Sequence, residues 1–283
     1  MRTNRLTILH TVFLALMSGA VITCASPAGA ADPQAKLSIT FDDSYKSQFV
    51  NAFPIMQKFG LTGTAYVITR DIGGATEDPI WTPMSWSDIR ALKDAGWEIG
   101  SHTVSHPHLP ILDDKQLADE LRYSSLHIAR QLGQAPVSFA APYGEVDARV
   151  RTAISNVYQN NVSTGDSTGG SDGINEPGKV DKYGISRLVV SRNTLPEEVC
   201  DAVDGAAAKK VWLVLAFHQV VDNPPTTPAG DYMVKTSDFG QIMKCISDQV
   251  HAGQLKVMNV SNALAALQPP PSAKSDVAPG QAQ

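Results

Sequence analysis

The 283-residue sequence has only three cysteines, no basic cluster after its N terminus, and no long apolar run beyond its first 22 residues. Lys and Arg total 23 against 28 Asp and Glu, a formal charge of −5. Without a basic patch there is no electrostatic footprint for nucleic acid or an anionic membrane, so neither is expected as a partner. A sugar polymer is not excluded, because hydrogen bonds and ring stacking recognise it. The one apolar run, residues 6–22, is short and is interrupted by His10 and Ser18, so no stable membrane span is expected. Arg2 and Arg5 precede it and Ala28-Gly29-Ala30 follows it, the small-x-small pattern ahead of signal-peptidase cleavage. Residues 1–30 are therefore read as a signal peptide, with Ala31 as the mature start and a secreted or periplasmic location. Lipidation at Cys24 is disfavoured, since Thr23 stands where a lipoprotein signal has Gly or Ala. Once Cys24 is removed, Cys200 and Cys245 remain. In an oxidising compartment a bridge between them and two separate thiols both fit.

What is present is a 43% hydrophobic chain of a length that suits one large α/β domain. Strand-like and helix-like segments alternate almost to the end. Residues 37–41 alternate apolar and polar before Asp42-Asp43, and 49–59 carry apolar residues at helical spacing up to Gly60. Further strands are expected over 64–68, 97–99, 137–140, 185–190, 211–217 and 255–258. Helices are expected between them, including a long one capped by Asp113 and ended by Gly133. The run 211–217 is continuously apolar, as in a strand covered on both faces. Such alternation predicts a mainly parallel sheet closed like a barrel, in a single domain over 36–268. Residues 160–181 read as a long Gly/Ser/Asp-rich loop and 269–283 as a disordered tail.

Reactive side chains gather at the ends of these strands, where parallel α/β folds build active sites. Asp42 and Asp43 follow the first strand, and His102 and His106 follow the third. Pro142-Tyr143-Gly144 follows the strand through Phe139, and His218 ends the apolar run. The His102-x-x-x-His106 spacing places two imidazoles on one helical face or on two sides of a tight turn. With Asp43 they make a ligand set of two nitrogens and one carboxylate that suits Zn²⁺ and leaves positions open. His108 is read as structural or solvent-facing. Adjacent carboxylates repel, so a metal held by Asp43 relieves the pair and leaves Asp42 as a general base.

Together, Thr40-Phe41-Asp42-Asp43, Ser101-His102-Thr103-Val104-Ser105-His106, the stretch from Phe139 to Gly144 and Leu215-Ala216-Phe217-His218 resemble the motifs of the NodB-homology polysaccharide deacetylases. These are also called carbohydrate esterase family four. The resemblance implies a deformed (β/α) barrel and a divalent metal, zinc, on Asp43, His102 and His106. It implies that Asp42 is the base, that the Tyr143 amide holds the oxyanion and that His218 is the acid. Two departures stand out. The position of the Arg that tethers the base in many family members is Ala140 here, and Arg187 is the candidate substitute cation. The acid histidine's Asp partner is not evident; Asp166 and Asp181 are candidates.

The implied reaction is removal of N-acetyl groups from a polysaccharide or oligosaccharide of N-acetylglucosamine type (chitin-like, poly-N-acetylglucosamine or peptidoglycan), releasing acetate. An esterase acting on O-acetyl xylan or a similar glycan is the alternative with the same machinery. A non-catalytic glycan-binding protein is disfavoured by the intact Asp42, Asp43, His102, His106 and His218. Trp81, Trp86 and Tyr45 are candidates for stacking on sugar faces.

Overall fold

The computed structural model describes residues 34–74, 76, 79–164 and 171–267. The segments read as signal peptide and tail lie outside the described residues, as does Asp166. The first half runs β1 (Ala35–Phe41), α1 (Phe53–Lys58), β2 (Thr64–Val67), α2 (Trp86–Asp94), β3 (Glu98–Ser101), α3 (Asp114–Leu132), β4 (Ser138–Ala140), α4 (Ala148–Ser155) and β5 (Asn160–Ser163). The second half adds β6 (Ile174–Asn175), β7 (Ile185–Ser186), β8 (Leu188–Val189), α5 (Pro196–Lys209), β9 (Trp212–Phe217), β10 (Gln219–Val221), β11 (Met233–Lys235), α6 (Thr236–His251), β12 (Leu255–Val257) and α7 (Val260–Leu267).

Local chemistry sets several boundaries. The Asp113 carboxylate accepts from the Gln116 amide, and the Gln116 side chain accepts from the Asp113 amide at 3.1 Å. Such a cap is worth about 1 kcal/mol. Gly133 ends the same helix at φ 75°, a conformation that favours a residue without Cβ. The helix expected over 49–59 opens differently. A wider turn over Gln48–Ala52 precedes α1, and there the buried Gln48 side chain donates to the carbonyls of Asp42 and His218.

β9, β1, β2, β3, β4, β5 and β7 pair in that order, all in parallel. β8 pairs in parallel with β9. β7 and β8 are separated only by Arg187, so residues 185–189 join the two edges of the sheet and close it as a barrel. The strand expected over 185–190 is therefore two strands with different neighbours. The expected loop over 160–181 also carries structure, with β5 at its start and β6 antiparallel to β9.

The alternation in β1 separates two interiors rather than core from solvent, since every residue of the strand is buried. Leu37, Ile39 and Phe41 pack outward among Val199 and Val203 of α5 and Phe239 and Ile242 of α6. Each such burial contributes about 1.5–3 kcal/mol. The polar alternates face into the barrel and find partners there. Trp212 Nε1 donates to Ser38 Oγ at 3.0 Å, and Thr40 Oγ1 donates to the Leu215 carbonyl at 2.9 Å. α7 seals the end where strands begin. The Val260 and Ser261 amides donate to Thr64 Oγ1 and Glu98 Oε2, both at 3.1 Å, on the first residues of β2 and β3. The opposite end, where β1, β3, β4 and β9 finish, stays open. Outside, Cys200 of α5 and Cys245 of α6 form a disulfide with Cα atoms 6.0 Å apart.

Candidate active site

Five of the six non-glycine residues with positive φ among the described residues lie at this open end: Asp43 (71°), Ser44 (64°), Thr103 (71°), His106 (58°) and Tyr143 (59°). Each costs of order 1–3 kcal/mol and persists only where its surroundings hold it. The supports are visible. Ser44 Oγ accepts from the Ile68 amide at 2.8 Å, and Thr103 Oγ1 accepts from the His106 amide at 2.8 Å. Glu120 of α3 accepts from the amides of Val104 and Ser105 at 2.8 and 2.9 Å and from Ser105 Oγ at 2.7 Å. The segment between the two histidines is thus a tight turn clamped from below, not a helix.

That turn brings His102 and His106 to Asp43. Asp43 Oδ1 lies 3.3 Å from His102 Nε2 and 3.4 Å from His106 Nε2, and the three donor atoms fall within 4.8 Å of one another. His102 Nδ1 is 2.7 Å from the Ala140 carbonyl, which can only accept. Nδ1 therefore carries a proton, and Nε2 is the ring nitrogen that faces Asp43. Asp43 Oδ1 is buried and has no hydrogen-bond partner among the described residues. An orphaned buried oxygen between two imidazole nitrogens fits a divalent cation. Burial and the neighbouring His102 charge lower His106 to about 4, so its ring is neutral at ordinary pH, as a ligand must be. Burial presses His102 down, but the Asp42 and Asp43 carboxylates more than offset it and hold its pKa up; a cation would compete with that proton.

Asp42 points the other way, into the barrel. Arg187 Nη1 and Nη2 donate to its two oxygens at 2.8 and 2.9 Å, with both side chains almost fully buried. Burial alone raises the Asp42 carboxyl; the Arg187 and His102 charges and the Arg187 hydrogen bonds outweigh it and leave the pKa below its usual value. The adjacent carboxylates are thus separated in role by environment, one on a guanidinium and one on two imidazoles.

The Pro142–Gly144 turn uses the amides of Gly144 and Glu145, which donate to Ala141 O at 3.0 Å and Pro142 O at 3.2 Å. The Tyr143 amide is not part of those bonds. His218 follows β9, and its ring meets Tyr232 at 4.9 Å. One cavity of about 270 Å³ is lined by Asp42, Asp43, His102, His106, Tyr143, Arg187, His218 and Tyr232. The seven residues given catalytic, metal-binding or base-tethering roles from the sequence (Asp42, Asp43, His102, His106, Tyr143, Arg187 and His218) all border this space.

The family model described as Polysaccharide deacetylase matches residues 29–161, which hold Asp42, Asp43, His102, His106 and Tyr143 and end before Arg187 and His218. Over that stretch, a little under half of the chain, the protein is similar to the polysaccharide deacetylase family. YxkH from Bacillus subtilis is 25% identical over 158 residues, 54% of this chain and 50% of that protein. Chitin deacetylase 2 from Cryptococcus neoformans is 32% identical over 106 residues, 35% of this chain and 23% of that protein. The matched stretches therefore span half or less of those relatives. Among solved structures, the Xyl-CE4 domain of a multidomain xylanase from the hindgut metagenome of Trinervitermes trinervoides superposes with a TM-score of 0.55 at 16% identity, covering 82% of this chain and 90% of that one. The peptidoglycan deacetylase PdaC from Bacillus subtilis gives 0.53 at 17% identity, covering 83% and 93%. Identities this low establish a shared fold alone, and the fold is the barrel expected.

Several residues that build the site carried no sequence signal. Glu120 sits on a helix face that reads as solvated, and the Ala140 contribution is a carbonyl, invisible to side-chain patterns. Gln48 lies just before the helix expected over 49–59, and Tyr232 follows the strand expected over 211–217 in a stretch with no motif of its own. Asp181 does not serve His218. It pairs with Arg151, the guanidinium nitrogens lying 2.7 and 2.5 Å from its two oxygens. His108 is half-exposed; its ring stacks on Tyr143 at 4.0 Å and its Nδ1 pairs with Glu145 at 2.9 Å. Trp86 packs against the outer core, whereas Tyr45 and Trp81 face each other at 5.8 Å beside the site.

Proposed function

We propose that the protein is a metal-dependent hydrolase that removes N-acetyl groups from a polysaccharide of N-acetylglucosamine type, releasing acetate, and that it works after export, secreted or periplasmic. The observation that carries the reading is the division of labour between neighbouring carboxylates. Asp42 is held ionised on Arg187, and Asp43 shares an empty-sided ligand set with His102 and His106. Zinc suits two imidazoles and one carboxylate. When bound, such an ion lowers the pKa of water and polarises the acetamide carbonyl. Asp42 accepts the proton of the attacking water, and Arg187 keeps that base deprotonated and fixed in direction. The Tyr143 amide donates to the oxygen that gains charge in the tetrahedral state. His218, across the same cavity, gives a proton to the departing sugar nitrogen. The Cys200–Cys245 bridge supports export, because such bonds persist in oxidising compartments.

Protein purified without chelators is expected to carry about one divalent ion per chain. It is expected to release acetate from at least one of chitin oligomers, poly-N-acetylglucosamine or peptidoglycan. The His102→Ala variant loses both ion and activity. Acetate release from O-acetyl xylan only would replace the N-acetyl assignment, and turnover that survives full removal of the metal would end the metal assignment.

A further inference from the structure

The ladder between β1 and β9 stops at the two groups read as base and acid. Its last bond is the Asp42 amide donating to the Phe217 carbonyl at 3.0 Å. Two residues later the chain leaving β9 has changed partner: the Gln219 amide donates to the Tyr232 carbonyl at 3.4 Å as β10 begins beside β11. The carbonyls of Asp42 and His218 thus lie past the ladder, and one side chain from the wide turn after β1 takes both. Gln48 Nε2 donates to the Asp42 carbonyl and, at 2.9 Å, to the His218 carbonyl. Both partners can only accept, so the nitrogen of the amide faces them, and its two N–H groups are used one on each.

Gln48 is completely buried, and its Oε1 has no hydrogen-bond partner among the described residues. Burying an amide is costly unless it is bonded, and here only the donor half is. Its neighbours reinforce the same junction. Ser47 Oγ accepts from the Val220 amide at 3.4 Å, and Asn51 Nδ2 donates to the Val220 carbonyl at 2.7 Å. Three side chains from residues 47–51 therefore hold the chain that carries His218 against the strand end that carries Asp42. This matters most for His218. The Asp42 carboxylate is aimed by Arg187, whereas the His218 ring only packs on Tyr232 and its Nδ1 has no partner among the described residues. The place of that ring is accordingly set through its backbone.

Resting on the deacetylase reading, we propose that Gln48 is a positioning residue that fixes the acid relative to the base. One amide group sets the separation of the Asp42 and His218 backbones, and with it the distance from proton acceptor to proton donor across the cavity they both line. A misplacement of about 1 Å in such a pair costs on the order of a hundredfold in rate.

The test is a double-mutant cycle on acetate release from N-acetylglucosamine oligomers, with the divalent ion content of each variant read by elemental analysis. Gln48→Met keeps the length of the side chain and removes both donors. In the parent background it is expected to lower kcat roughly tenfold to hundredfold, with KM within about twofold and the ion content unchanged. In a His218→Ala background, where there is no acid left to place, the same substitution costs less than about threefold. Gln48→Glu, protonated when buried and so left with one donor, falls between the parent and Gln48→Met, and it is the variant to carry through the cycle if Gln48→Met does not fold. Equal losses in both backgrounds mean that Gln48 serves stability alone and overturn the proposal, as does a rise in KM at unchanged kcat; both leave the deacetylase reading standing. A parent protein that releases no acetate removes the deacetylase reading first and this proposal with it.

Discussion

On the side of the barrel mouth built from β1, β3 and β4, every group placed for chemistry is cross-linked to a second element. His102 is fixed by the Ala140 carbonyl, the His102–His106 turn by Glu120 of α3, and Asp42 by Arg187. On the side of β9, His218 has one ring neighbour, Tyr232, and its buried Nδ1 has no hydrogen-bond partner among the described residues. Tyr232 is itself anchored at a distance. Arg192 fastens the preceding loop through the Pro225 and Thr227 carbonyls at 2.6 and 2.8 Å and Asp231 Oδ1 at 2.7 Å. Under the proposed mechanism, the contrast follows from what each side must do. Ligands and base need distances fixed to a few tenths of an ångström, so hydrogen bonds to rigid elements hold them. A proton donor to a leaving group tolerates packing in place of a directed partner.

That difference is open to breaking. The largest effect is expected from Asp42→Asn, which keeps shape but cannot take a proton. Here kcat falls by roughly 10²–10⁴ while metal content, read by elemental analysis, stays at the parent level. Loss of metal in this variant would reverse the roles of Asp42 and Asp43. Next comes Arg187→Met, which leaves Asp42 buried without its counter-ion. Urea unfolding should show a loss of about 3–5 kcal/mol, and a loss below about 1 kcal/mol, the range of exposed ion pairs, would mean that Asp42 finds other support. The smallest effects sharpen the comparison of the two sides as a pair. Glu120→Ala loosens the ligand turn and weakens metal affinity about 10–100-fold. Tyr232→Ala lowers kcat by no more than about tenfold, on the scale of one aromatic contact, with metal affinity unchanged. If Tyr232→Ala proves the more damaging of the two, the acid side is the more tightly specified one.

The same division marks what was legible in the sequence. Asp43, His102 and His106 belong to short motifs at strand ends, and their spacing announced a ligand set before any coordinates. Helix limits such as Asp113 and Gly133 were equally local. Arg187 could be named only as a substitute for a cation missing at position 140, because its partner lies 145 residues away and meets it only when the sheet closes. β5 escaped notice for another reason. Its Asn160 and Asn161 look like loop residues, yet Asn160 Oδ1 accepts from Ser138 Oγ at 2.6 Å and Asn161 Nδ2 donates to the Tyr183 carbonyl at 3.2 Å. A polar barrel interior reverses the usual strand pattern, and patterning alone cannot tell an inward polar face from a wet one.

Residues 185–189 complete the ring of strands, and the single residue between their two pairings is Arg187, which holds the carboxylate proposed as the base. If Asp42 is that base, assembly of the architecture and switching-on of the chemistry are one event. A chain in which this segment has not yet docked has an unfinished barrel and a base with nothing to hold it charged or aimed. On the proposed mechanism, catalytic competence would act as an internal certificate of folding: activity would require this seam to be shut, and whatever reopens the seam would silence it.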